Sequence, residues 1–160
     1  MIQIKKAQVQ DIPFIALLWQ DKLQAPWTEE MIKDSFEREN VVTMIAVSET
    51  PQNGKQDCES CVGFLMASFL EEAELYALVV KKTVQRQGIG QRLLENLLDF
   101  LKDKNVGSLF LEVSVENTKA VSFYENGGFK KVGERPHYYL KKIEEKEGAW
   151  VMALVLRKSL

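Results

Sequence analysis

Cysteine and histidine are scarce in this 160-residue chain, which has Cys58, Cys61 and a single histidine, His137. Two cysteines are too few for a disulfide framework, and the three residues together cannot supply the four soft ligands of a structural zinc site. We therefore expect no metal and a reducing, cytoplasmic environment.

Long hydrophobic runs and an excess of one charge are also missing. No apolar stretch approaches the ~20 residues that cross a bilayer, and the N-terminus MIQIKKAQVQDIPF lacks the apolar core of a signal peptide. The 21 basic and 23 acidic residues give a net charge of -2, unlike a dedicated nucleic-acid-binding protein. We expect one non-exported domain over residues 1–160, with no membrane partner and no direct nucleic-acid partner.

The first half of the chain predicts a strand, two helices and an antiparallel meander. Residues 2–6 alternate like a strand, Asp11 is a candidate N-cap for a helix that Pro26 ends, and Thr28 caps a second, short helix. Their expected apolar faces consist of Phe14, Ile15, Leu17, Leu18 and Leu23 in the first helix, and Met31, Ile32 and Phe36 in the second. Strands are predicted over 41–47, from Cys61 onward and over 73–82, with a long hairpin loop between the first two.

The second half predicts a β-α-β unit followed by one more helix and two strands. After Gly90, leucines with helical spacing indicate the longest helix, and a strand over 106–115 follows it. Asn117 caps another helix, which Gly127 and Gly128 end, and the last strands are expected over 129–134 and 150–157. A strand-helix-strand crossover produces a parallel pair of strands.

The segment Gln85-Arg86-Gln87-Gly88-Ile89-Gly90 lies where a strand ends and a helix begins. Amide groups in the first turn of a helix have no intrahelical partner, and they bind phosphate oxygens when glycines let the anion approach. The segment lacks the Gly-Lys-Ser/Thr ending of a P-loop, and Leu93 stands where the dinucleotide fingerprint has its third glycine. A pyrophosphate site and a plain glycine-rich turn are both consistent with this pattern.

Three polar residues follow at short intervals on the next strand and helix. Glu112 lies mid-strand opposite Leu111 and Val113, so it either faces solvent or lines a cleft, where desolvation would raise its pKa toward that of a useful general base. Asn117 is first a helix cap. Tyr124 is expected to pack in the core, although its hydroxyl could also donate a proton.

The cysteines and the histidine carry no predicted chemistry. Cys58 and Cys61 form a C-x-x-C in a polar hairpin and not at a helix start, so we expect no lowered thiol pKa. His137 has no nucleophile motif near it and is interpreted as a surface residue beside two tyrosines.

The combination of these motifs resembles the GNAT superfamily of acetyl-CoA-dependent N-acetyltransferases along the whole chain. The resemblance rests on Q-R-Q-G-I-G opening a helix, then L-E-V, then N-x-x-A-x-x-x-Y-x-x-x-G-F. P-W-T-E from Pro26, E-A-E-L from Glu72 and R-P-H-Y-Y from Arg135 make the chain similar to the RimI group, which acetylates the N-terminal alanine of a ribosomal protein. The implied fold is α+β, with a mixed, mostly antiparallel central sheet of about seven strands flanked by about four helices.

The resemblance also implies a role for individual residues. Glu112 would be the general base and Tyr124 the general acid. Substrate contacts are implied for Trp27, Arg135, Tyr138 and Tyr139, and acetyl-CoA contacts for Leu78, Val79, Val80, Arg86, Gln87, Gly88, Ile89, Gly90, Gln91 and Asn117.

The expected function is direct transfer of acetyl from acetyl-CoA to the N-terminal alanine of a ribosomal protein, by a monomer or weak homodimer. Two alternatives stay open at this point. One is an acetyltransferase for lysine side chains or small amines, and the other is a non-catalytic acyl-CoA-binding module.

Overall fold

The structure, a computed structural model, describes residues 1–20, 26–49, 60–140 and 150–160, and for 137–140 and 150–152 it describes the backbone. In these ranges one sheet has the strand order β1-β2-β3-β4-β5-β7-β6. The strands are β1 (Ile2–Lys6), β2 (Val41–Ser48), β3 (Cys61–Phe69), β4 (Ala73–Val80), β5 (Ser108–Ser114), β6 (Lys130–Leu140) and β7 (Trp150–Ser159). The helices are α1 (Ile12–Gln20), α2 (Glu29–Phe36), α3 (Ile89–Asp103) and α4 (Thr118–Asn126). The predicted α+β class is thereby confirmed.

One pair of neighbouring strands, β4 and β5, is parallel, and all other pairs in the described sheet are antiparallel. The parallel pair is the predicted crossover through α3. Its pairing covers only Ala73 with Leu109 and Glu74 with Phe110. Beyond that point β4 continues beside β3, and β5 continues beside β7. The two strands therefore separate, and we call the space between them the β4–β5 gap.

Two hydrophobic clusters cover the two faces of the sheet. On one face α3 buries the leucines predicted from its periodicity against β-strand residues such as Leu109 and Leu156. On the other face α1 and α2 bury Ile15, Trp19 and Ile32 against β3 and β4. Burial of each large apolar side chain contributes about 2 kcal/mol, so this layering accounts for much of the favourable free energy of folding.

The predicted helix faces of α1 and α2 are partly wrong. Leu17 is 60% exposed and Met31 is 46% exposed, whereas Ile15 and Ile32 are fully buried as expected. In α2 the buried neighbour of Ile32 is Ser35, whose hydroxyl donates to the Ile32 carbonyl and so needs no other partner. Leu23 lies outside the described residues.

The helix caps are local features, and two of the three predicted ones are confirmed. The Thr28 Oγ accepts from the Met31 amide at 3.2 Å, and the Asn117 Oδ1 accepts from the Ala120 amide at 3.2 Å. Asp11 is not the N-cap of α1. It ends a short 3-10 turn, where its carboxylate accepts from the Gln8 amide at 2.8 Å.

Several strand ends differ from the prediction. The strand expected over 73–82 ends at Val80, and the one expected over 106–115 spans Ser108–Ser114. The strand expected over 129–134 continues to Leu140, with a shift in its pairing to β7 between Arg135 and Tyr139. Pro136 lies in that shift. Because proline has no amide hydrogen to donate, it is accommodated where the ladder is interrupted.

β4 approaches β3 closely near the end of the β4–β5 gap. A bulge places Tyr76 as the extra residue opposite Met66 and Ala67. Further along, a Cβ added to Gly63 would lie only 2.8 Å from the carbonyl oxygen of Val79. Glycine at this position therefore permits the strand spacing beside the gap.

We expect Gly63→Ala to destabilise the fold by about 1–3 kcal/mol, because the new methyl group meets backbone that cannot move aside. Gly107→Ala is the matched control, since its Cβ would lie 3.9 Å from its nearest neighbour, the Glu71 carbonyl oxygen. Urea unfolding of both variants measures the difference. Equal stabilities would contradict the steric explanation.

Candidate active site

The loop between β4 and α3 has the backbone geometry of an anion-binding turn. Gly88 is the N-cap of α3 with φ 76°, and it provides no side-chain cap for the first helical turn. Arg86 also has a positive φ of 63°, although it is not glycine. Left-handed residues at alternate positions turn successive amides toward one side, and the uncapped helix end adds further free amides. Arg86, Gln87 and Gly88 are all exposed, so these groups are accessible.

A side chain attaches this loop to the end of β4. The Gln85 Nε2 donates to the Val80 carbonyl at 3.0 Å. Nothing in the sequence singled out this contact, because glutamine at a turn has many alternative partners.

Leu78, Val79 and Val80 form the part of β4 that borders the gap. Their strand pairs with β3 on one side, and its pairing to β5 ends at Glu74. Alternate backbone amides and carbonyls of a strand with one neighbour point away from that neighbour. This part of β4 is thus an inner strand edge that an extended ligand could pair with.

Glu112 lies on β5 two residues beyond Phe110, the last residue paired to β4. It points away from the buried Leu111 and Val113, and its side chain is only 14% exposed. The Nε of Arg135 lies 2.7 Å from its Oε1. The sequence left two interpretations of Glu112, in which it either faces solvent or lines a cleft. The structure supports the second.

The acidic cleft, of about 330 Å³, surrounds this ion pair. Its lining residues are Ser68, Glu72, Ala73, Glu74, Phe110, Leu111, Glu112, Arg135 and Val155. Partial burial and the negative charge of Glu112 raise the pKa of Glu74, and the charge of Arg135 lowers it. Sequence reasoning noticed Glu74 only within E-A-E-L and assigned it no role.

Tyr124 and Asn117 both lie on the segment that leads into and through α4. Tyr124 is 8% exposed, and its ring is 5.2 Å from that of Phe123 and 5.5 Å from that of Phe129, in edge-on arrangements. Core packing of Tyr124 is therefore confirmed. A Cβ on Gly90 would lie 3.7 Å from the Phe123 ring, so α4 packs directly beside the first turn of α3.

Trp27 belongs to an aromatic group on the α1 and α2 face of the sheet. It stacks on Trp19 at 5.0 Å and lies 5.3 Å from the ring of Tyr76. By strand alternation Glu112 faces this same side, because Leu111 and Val113 face the other cluster. Tyr138 and Tyr139 are placed on β6, with Tyr139 opposite Val151, but their side chains lie outside the described residues.

Of the remaining sequence candidates, Cys58, Cys61 and His137, the structure describes the side chain of Cys61. Cys61 begins β3 and is buried, and burial raises its thiol pKa to about 11. Cys58 lies outside the described residues. Among the residues that are described, no three acidic, cysteine or histidine side chains lie together as a metal site, and no helix is long and apolar enough to span a membrane.

Comparison with known proteins identifies the class of this fold and site. The model of the GNAT acetyltransferase family matches residues 12–129. The chain therefore belongs to the GNAT family and is an N-acetyltransferase that uses acetyl-CoA.

Individual relatives show where in the family the similarity is strong. The chain is 32% identical to the ribosomal protein bS18-alanine N-acetyltransferase of Escherichia coli K12 over 154 residues, which cover 96% of this chain and 97% of the relative. The crystal structure of the ribosomal-protein-S18-alanine N-acetyltransferase from Escherichia coli has a TM-score of 0.81 at 28% identity, covering 99% of this chain and 94% of that one. NAA60 of Arabidopsis thaliana in complex with acetyl-CoA has the same fold, with a TM-score of 0.86 at 16% identity over 100% of this chain and 99% of that one.

The two glycines of the loop should respond differently to alanine. Gly88→Ala should cost about 1 kcal/mol, because the left-handed backbone disfavours a Cβ even though nothing lies within 4 Å of it. Gly90→Ala should be neutral or stabilise by up to about 1 kcal/mol, because the residue is helical and its Cβ meets ordinary contacts. Thermal unfolding measures both. Equal effects would show that backbone conformation is not what requires Gly88.

The raised pKa of Cys61 predicts an unreactive thiol. Compared with the ordinary value of 9.0, a pKa of about 11 lowers the thiolate fraction at pH 8 by about a hundredfold. In a Cys58→Ser variant, Ellman's reagent should therefore label Cys61 slowly in the folded protein and rapidly in urea. Rapid labelling of the folded protein would contradict the burial of this thiol.

Proposed function

We propose that this enzyme acetylates the N-terminal α-amino group of a ribosomal protein whose first residue is alanine. The observation that carries the proposal is Glu112, a largely buried carboxylate where β4 and β5 separate. The named activity of the relative that is 32% identical over 96% of the chain supports the choice of acceptor. A ribosomal acceptor also supports a cytoplasmic location.

The donor would bind along β4 and the following loop. Amides from Arg86 through Gln91 would hold the pyrophosphate, because Arg86, Gln87 and Gly88 are exposed and the segment lies at the positive end of the α3 dipole. The pantetheine arm would pair with the inner edge at Leu78, Val79 and Val80, and Asn117 would contact the cofactor from the start of α4. A β4 amide directed at the thioester oxygen would stabilise the charge that develops there.

The chemistry is a direct transfer that uses two side chains. An α-ammonium group has a pKa of about 8, so it must lose a proton before it can attack. Glu112, directly or through water, accepts that proton, and the amine nitrogen forms a bond with the thioester carbonyl carbon. When the carbon–sulfur bond breaks, the CoA thiolate takes a proton from the Tyr124 hydroxyl, and the second proton lost by the nitrogen returns through water to the Tyr124 phenolate.

The acceptor would approach from the face that carries Trp27 and Arg135. Both are on the side of the sheet to which Glu112 points. Tyr138 and Tyr139 follow Arg135 after three and four residues on the same strand, β6. The single sheet through β1 to β7 supports a single acetyltransferase domain over residues 1–160, which we propose acts as a monomer or weak homodimer.

Removing either proton-transfer group should reduce turnover and spare donor binding. We expect Glu112→Gln and Tyr124→Phe each to lower kcat by about 10²–10⁴-fold, the range for a positioned acid or base. Both replacements keep the shape of the side chain. The rate is measured with an alanine-initiated peptide, and acetyl-CoA binding is measured by calorimetry.

Glu116→Gln is the control, because Glu116 is an exposed carboxylate just after β5. Its turnover should match that of the unaltered protein. Unaltered rates in Glu112→Gln and Tyr124→Phe would overturn the assigned roles.

The acceptor itself can be identified in cells that lack the gene. Intact-mass and peptide-mapping analysis should show that one ribosomal protein has lost acetylation at an N-terminal alanine. If all alanine termini are unchanged and lysine side chains lose acetyl groups, the enzyme acts on lysine instead.

A further inference from the structure

Glu74 has no part in the proposed transfer, yet its carboxylate lines the same cleft as Glu112. The two residues are brought together by the short parallel pairing, in which Glu74 is opposite Phe110 and Glu112 follows two residues later on the same face. The two carboxylates also interact electrostatically, because the negative charge of Glu112 contributes to the raised pKa of Glu74.

The cleft already holds a cation, Arg135, beside Glu112. The guanidinium of Arg135 contacts Glu112 at 2.7 Å and also lowers the pKa of Glu74, so it interacts with both carboxylates. The Arg135 guanidinium thus shows that a cation with N–H donors fits beside the carboxylates of the cleft. The Arg135 side chain is 61% exposed and lies at the interruption of the β6–β7 ladder. The exposed Arg135 side chain can therefore turn into solvent when another cation takes its place beside Glu112.

The charges of the cleft favour a further cation. Its described lining contains three glutamates and one arginine. Glu72 precedes β4 and accepts a hydrogen bond from the Ser108 hydroxyl at 3.4 Å, whereas Glu74 lies within β4 on the same face as Glu112. An ammonium group has three N–H donors, which allows it to contact two carboxylates at once.

We propose that Glu74 binds the α-ammonium group of the acceptor together with Glu112, and so selects acceptors that arrive as cations. This inference rests on the proposed function. One N–H gives its proton to Glu112, and rotation about the Cα–N bond then turns the resulting lone pair toward the thioester while another N–H takes its place beside the carboxylates. Glu74 binds the ammonium form before the transfer, so it contributes to the affinity for the acceptor and not to the rate of the attack.

The test compares Glu74→Gln with the unaltered enzyme on two ligands. The first is an alanine-initiated peptide as substrate, and the second is its desamino analogue, which has the same chain without the amine and acts as a competitive inhibitor. We expect KM for the peptide to rise about three- to tenfold, in line with loss of one partly exposed charge-assisted hydrogen bond. The inhibition constant of the desamino analogue should stay unchanged, and kcat should change less than twofold.

Glu71→Gln is the matched control, since it removes an exposed carboxylate from the preceding turn that does not line the cleft. Its KM should equal that of the unaltered enzyme. Raising the salt concentration should also increase KM more in the unaltered enzyme than in Glu74→Gln, because it screens the charge attraction that only the former has.

Two results would overturn the inference: an unchanged KM in Glu74→Gln, or an equal loss of affinity for the peptide and its desamino analogue. If the proposed function is wrong, the experiment gives a different result. In that case the unaltered enzyme acetylates a lysine-containing peptide and no α-amine, and Glu74 is then tested with the lysine peptide and its norleucine analogue in the same way.

Discussion

The separation of β4 from β5 is the constraint on which the rest of the site depends. The strands share two residue pairs and then take different neighbours. If the ladder continued, the backbone groups of Leu78 to Val80 would be paired to β5 and unavailable to a ligand. Because it stops, the inner edge of β4, the Glu112 carboxylate and the loop proposed to bind pyrophosphate all border the β4–β5 gap. The candidate active site is thus a consequence of incomplete pairing inside an otherwise continuous sheet.

The groups around this space explain why so little cysteine and histidine is needed. The proposed transfer uses a carboxylate, a phenol and backbone amides, and the amine attacks the thioester without a covalent enzyme intermediate. The one cysteine that the structure describes is buried, with its thiol pKa raised to about 11, and is therefore unsuited to nucleophilic chemistry. A helix terminus likewise binds phosphate without a large excess of basic residues, which agrees with the net charge of -2.

Local features were predictable from the sequence, and non-local ones were not. The leucine spacing of α3 and the caps at Thr28 and Asn117 depend on residues a few positions apart, and all are confirmed. Leu17 and Met31 were misplaced because apolar residues also occur on surfaces. The ion pair of Glu112 with Arg135 joins β5 to β6, and the cleft shared with Glu74 requires knowledge of which strands pair. No local pattern contains that information.

The contact between Gln85 and the Val80 carbonyl has a consequence for how the family can vary. It joins the loop to the end of the strand, so it restrains the spacing between the two regions proposed to hold opposite ends of the donor. A residue inserted between Val80 and Gln85 would shift the loop that holds the pyrophosphate relative to the strand that holds the thioester. The donor could then no longer bind both regions at once. Length in this segment is therefore constrained by the dimensions of the donor molecule.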